Sequence, residues 1–146
     1  MAAGAWVVVD AIKERMGNAE INFDTDTFKV ALYQSTSNIA TTSDDATALT
    51  NEVGTTNTGY TAGGYTVTPT WTRSTGTCKF DISDPTWTAG SANLTARFAV
   101  IIDTTPTPDR VVAYCLLDST PADVTTNSGN TLTIQIDNTN GVFTMA

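Results

Sequence analysis

The stretch ARFAVIIDTTPTPDRVVAYCLLD, residues 96–118, constrains the fold more than any other part of the chain. It reads as two strands joined by a turn. Ala96, Phe98, Val100 and Ile102 fall on one face of the first strand, and Arg97, Ala99 and Ile101 on the other. The second strand places Val112, Tyr114 and Leu116 opposite Val111, Ala113, Cys115 and Leu117. A strand with one wet face alternates apolar and polar residues. This pair hardly alternates, so both of its faces need a cover. The hairpin is therefore expected at the centre of a layered β structure, with Phe98 in the core.

The rest of the chain supplies the layers. FKVALYQ (28–34), YTVTPTWTR (65–73), TCKFDIS (77–83), PTWTAG (85–90) and NTLTIQID (130–137) read as strands, and most of them alternate. GVFTMA (141–146) is expected to return beside 130–137 after an Asn-Thr-Asn-Gly turn. Pro69 has no N–H for a ladder bond, which places its strand at an edge or a bulge. Thr fills the wet faces, as β-propensity favours. The polar stretch 35–64 is too long for a tight turn, with room for a short strand near 50–53. Trp6, Val9, Ile12 and Met16 recur at helical spacing before Gly17, so one N-terminal helix is expected, although the Val7-Val8-Val9 run opposes it. About eight strands with turns between them predict a mainly β chain, an antiparallel β-sandwich or jelly roll with one short N-terminal helix. We read residues 1–146 as one domain, with 1–17 as helix or arm and 24–146 as β core. That helix carries the apolar stripe expected to cover the hairpin's second face, alone or with a neighbouring subunit.

Composition narrows the function classes. Net charge is −8 with seven basic residues, which argues against a nucleic-acid partner held through phosphates. No run of about 18 apolar residues is present to span a membrane, and the start lacks the basic leader of a secretory signal. Cys78 and Cys115 lie in predicted strands and are expected as reduced thiols, with a cross-strand disulfide left open. The chain has no histidine, so the usual neutral-pH base and the commonest transition-metal ligand are missing. TAGG (61–64) has no Lys-Ser/Thr after it and reads as a turn rather than a phosphate loop. Asp24 and Asp26, Asp44 and Asp45, and Asp81 and Asp84 lack the spacing of a calcium loop and read as turn and cap residues. Trp71 reads as core, and Trp6, Trp87 and the tyrosines leave a sugar platform open. Arg97 and Arg110 interrupt the apolar hairpin and suit ion pairs or partner contacts. No catalytic, cofactor or metal residues are expected.

DTDTFKVALYQSTSN, GYTAGGYTV, CKFDISDPTWTAG, LTARFAVIIDTT, DRVVAYCLLD and NTLTIQIDNTNGVFTM, in that order, resemble the capsid decoration (cement) proteins of tailed bacteriophages. The resemblance runs through most of the chain from Asp24 on. It implies a β-sandwich or jelly-roll protein without enzymatic activity, bound to the outer surface of the expanded capsid. The implied partner is the major capsid protein. A homo-oligomer is expected, with no nucleic acid, membrane, cofactor or small-molecule substrate. Trp6, Val9, Ile12, Met16, Arg97, Ile101 and Arg110 are the candidate contact residues. Two rival readings are a tail tube, tail terminator or head–tail connector subunit, and a carbohydrate-binding sandwich.

Overall fold

A computed structural model describes residues 2–146. In chain order the elements are β1 (Val7–Val8), α1 (Ile12–Gly17), β2 (Phe28–Tyr33), β3 (Tyr65–Val67), β4 (Pro69–Ser74), β5 (Thr77–Ile82), β6 (Thr86–Thr88), β7 (Leu94–Ala96), β8 (Phe98–Asp103), β9 (Arg110–Leu116), β10 (Val124–Thr126), β11 (Thr131–Thr133) and β12 (Phe143–Met145). All named pairs are antiparallel. The main sheet has the order β1-β9-β8-β2-β3, and smaller sheets pair β12-β5-β4, β11-β6 and β10-β7. The protein is mainly β and sandwich-like, with the expected short helix.

The eight expected strands become twelve for local reasons. The run 65–73 breaks at Thr68. Its first half pairs with β2, and its second half starts at Pro69 and pairs with β5 on the smaller sheet. Pro69 thus lies on an edge strand, where its missing donor costs nothing. The run 94–102 breaks at Arg97, whose N–H donates to the Tyr33 carbonyl and whose carbonyl accepts from Leu117 N–H. β7 then belongs to one sheet and β8 to another. The other two additions, β1 and β10, were not read from the sequence as strands.

Three expectations are corrected. Trp6 and Val9 are not helical. The β-branched run Val7–Val9 takes extended backbone beside β9, with Val7 opposite Tyr114 and Val8 opposite Ala113, which leaves α1 only Ile12–Gly17. The C-terminal strand pairs with β5, not with 130–137: Phe143 faces Phe80, and Val142 N–H donates to Phe80 O at 2.8 Å. Burying Val142 and packing half-buried Phe143 against the aromatic cluster outweigh a local hairpin. The 50–53 stretch forms one bridge, Tyr33 to Glu52, rather than a strand.

β8 lies at the centre of the main sheet, and both its faces are covered. Directly opposed residues share a face, so Phe28, Val30, Leu32, Ala99, Ile101, Ala113 and Cys115 point one way. This face meets the β5 sheet. Phe28 lies 5.1 Å from Phe80, and Phe23 lies 4.6 Å from Phe80 and 5.2 Å from Trp71, ring to ring. The opposite face carries Ala31, Val100 and Tyr33. The connection after β2 leaves from the Tyr33 end, where Gln34 N–H donates to Asn51 O. It reaches β9 at the other end, where Val111 N–H donates to Asp44 O and Asp45 bridges to Arg110. It therefore crosses this face from corner to corner. Ile39, Ala46 and Leu49 are its apolar contacts with the core. The polar 35–50 segment is the main cover that the hairpin demands. The α1 segment adds Val9 and Ile12, each 1% exposed. The following segment is pinned by Glu52, whose Oε1 accepts Tyr60 O–H at 2.6 Å and Gly63 N–H at 2.7 Å. Tyr60 Oη in turn accepts from Leu32 N–H at 3.1 Å. Burial pushes the Tyr33 hydroxyl, beside Glu52, up to about 12.

Candidate interaction surface

The cover is incomplete at one corner. Val7, Tyr114, Leu116 and Phe98 share the loop-side face across β1, β9 and β8. Val7 is 37% exposed, and the other three are half-buried. Beside them runs the N-terminal edge. Ser119 N–H donates to Ala2 O, Gly4 N–H to Leu116 O and Val9 N–H to Val112 O, so residues 2–9 extend the sheet rather than hang from it. The segment AAGAWVVV carries no charge in a chain of net −8. Its other side borders a groove of about 340 Å³ lined by Trp6, Cys115, Ile134, Gln135 and Val142. Strand edges are usually blunted by charge, Pro or a bulge; the sequence of this edge offers none of the first two. The arrangement can add a strand or seat an apolar side chain.

The structure scatters the seven candidate residues. Val9, Ile12 and Ile101 are buried inside their own chain, Ile101 at 0% exposure on the face that meets the β5 sheet. Trp6 is half-buried at the groove. Met16 is half-buried and lines a separate hollow with Ile21, Phe23 and Trp71. Arg97 pairs with Asp123, Nε to Oδ1 at 2.8 Å. Arg110 reaches Asp44 at 3.5 Å. Sequence reasoning missed Val7, Tyr114, Leu116 and Phe98 as one patch. The β-branched run 7–9 was the available signal, since a strand there would have brought Val7 beside the hairpin.

A charged knot holds the cover in place. Arg15, on α1, donates from Nε to Asp44 Oδ1 at 2.7 Å and also pairs with Glu20. The hydrogen bond from Arg15 holds the Asp44 carboxyl below its usual range, with Arg110 adding to it. One carboxylate thereby joins α1, the crossing loop and β9. We expect Asp44→Ala to cost about 1–3 kcal/mol, because hydrogen bonds to charged groups are lost and two part-buried guanidiniums lose a partner. A lowered carboxylate stabilises the fold above its ordinary value of 3.8 and ceases to do so as pH falls through the lowered one. An unchanged urea midpoint at neutral pH would show that the knot is ornamental.

Both cysteines are free thiols. Burial pushes Cys115 up to about 12, a protonated and unreactive state at neutral pH. No group of three or more His, Cys, Asp or Glu side chains gathers among the described residues. Trp87 is 5% exposed and Trp71 stacks on Phe23. Compared with protein-family models, curated proteins and solved structures, the chain matches none of them.

Proposed function

We propose that this chain is a structural virion protein of a tailed phage, a decoration protein that binds the outside of the expanded head and bridges neighbouring capsid subunits. The observation that carries the reading is the uncharged N-terminal edge with the half-exposed patch of Val7, Phe98, Tyr114 and Leu116 beside it. A partner or a second copy can be met there without opposing the net charge of −8. The sequence resemblance supplies the partner, the major capsid protein. Mass action supplies the mechanism: a ligand that binds only the expanded lattice lowers the free energy of that state, and many bridging copies add avidity. The chain's own residues contribute surface rather than bond chemistry.

Two observations weigh against the rival readings. A tail tube subunit would send its long loop to the next ring, but residues 35–50 fold onto their own sheet. A sugar platform needs coplanar exposed rings, whereas Trp87 is buried, Trp71 is half-buried and stacked on Phe23, and Tyr65 stands edge-on to Trp87 at 5.9 Å.

The test is co-sedimentation of the purified chain with expanded heads stripped of bound proteins, with tails as control. Saturable binding to heads alone is expected, with Val7→Asp weakening it at least about tenfold, equivalent to about 1.4 kcal/mol, while the far-ultraviolet spectrum stays unchanged. Rings or filaments of the chain alone, without head binding, would move the assignment to the tail.

A further inference from the structure

Asp103 ends β8, and its side chain is in an unusual position. The residue is 0% exposed. Its Oδ1 accepts Thr105 N–H at 2.9 Å, but its buried Oδ2 meets no donor unless the neighbouring carboxyl carries a proton. A second carboxylate, Asp26, lies against it from the turn that leads into β2. Asp26 Oδ2 accepts Asn22 N–H at 2.6 Å. The surrounding groups are oxygen-rich. Thr105 Oγ1 accepts Thr27 N–H at 2.8 Å, and the Thr27 carbonyl accepts Thr104 N–H at 2.9 Å and Thr104 Oγ1–H at 3.1 Å.

The nearby cationic residues are directed elsewhere. Arg110, the register partner of Asp103, gives its Nη1 to Asp44 at 3.5 Å, and its buried Nε makes no hydrogen bond to Asp103 or to any other group. Lys29 opposes Ile102 and so points to the other face from Asp103. Two carboxylates pressed together, one of them out of water, are costly unless something positive lies between them. Hard oxygens with no competing nitrogen or sulfur ligand select a hard divalent ion. A chain of net −8 also draws such ions to its surface.

We propose that Asp26 and Asp103 form a binding site for a hard divalent cation of the calcium class, with water completing its oxygen shell. The ion would tie the turn before β2 to the end of β8, at the centre of the main sheet. The site is independent of any capsid partner.

The experiment is thermal melting and isothermal titration of the full chain with CaCl₂ after treatment with a chelator, at neutral pH. Calcium is expected to raise the melting temperature saturably, with one site per chain. Asp103→Asn and Asp26→Asn should each weaken the titrated affinity at least about tenfold, or about 1.4 kcal/mol. Asp103→Asn keeps the oxygen that accepts from Thr105, so it should fold; Asp26→Asn tests the same site from the other side. Two results would overturn the proposal. If the calcium shift persists undiminished in both variants, the ion is only screening surface charge. If calcium has no effect, the pair is not a cation site; loss of the chelated wild type's stability as pH rises from 3.8 through about 6, absent in Asp103→Asn, would then show that the pair shares a proton instead.

Discussion

Phe80→Ala should lower the stability of the fold by about 3–5 kcal/mol, the range for removing a fully buried aromatic ring. Phe80 is 0% exposed. Its ring centroid lies 4.6 Å from Phe23, 5.1 Å from Phe28 and 5.6 Å from Phe143. These neighbours come from the turn before β2, from β2 itself and from β12. Truncation therefore opens a cavity where the two layers meet, and rings held by separate backbone segments cannot collapse into it. In urea the midpoint should fall while the slope stays constant, since the surface exposed on unfolding hardly changes. Phe98→Ala is the control. Its ring is half-buried at the uncovered corner, contrary to the core position expected from the hairpin pattern. It should cost less than half as much. Equal losses at the two positions would contradict the layer assignment.

Gly64→Ala should cost about 2–4 kcal/mol through a backbone collision. Gly64 has φ +88° and closes the turn in which its N–H donates to Thr61 O at 3.0 Å. A Cβ there would lie 2.2 Å from Val30 O and 2.7 Å from Ala31 Cα. Both contacts are backbone of β2, so no rotamer change relieves them. The neighbouring Gly63 provides a matched comparison. It has φ +81°, but its nearest atom is the flexible Lys29 Nζ at 3.9 Å. Gly63→Ala should therefore carry only the left-handed backbone penalty, about 1–2 kcal/mol. Hydrogen exchange at the amides that pair β2 with β3 should rise far more in the Gly64 variant. Similar exchange in the two would mean that the edge strand yields without cost.

The comparison of TAGG with a phosphate loop illustrates how much the primary structure discloses. The absent Lys-Ser/Thr marked it as a turn, and it is one. Neither glycine's separate role was visible, because Val30 approaches only after β3 pairs with β2. The same limit applies to Arg97. Its polarity within an apolar run stood out, but not that its backbone is the corner between two sheets.

Period-2 patterns, the hairpin's missing alternation and turn residues were enough to determine a mainly β chain, the central position of β8 and β9 and the turn at 61–64, and to restrict Pro69 to an edge or a bulge. These are local or compositional consequences of which residues tolerate water. Only the tertiary structure decided what lies against what. Three half-buried apolar residues, Ile39, Ala46 and Leu49, let a Thr- and Asp-rich segment cover a sheet that an amphipathic helix was expected to cover. The Val7–Val9 run is compatible with helix or strand by residue type, and the open edge of β9 settled it as strand. Asp26 and Asp103 lie far apart in the chain and carry no shared motif, so their confrontation arises only from the pairing of β2 with β8. Contacts of this kind depend on long-range register, which no short window of sequence encodes.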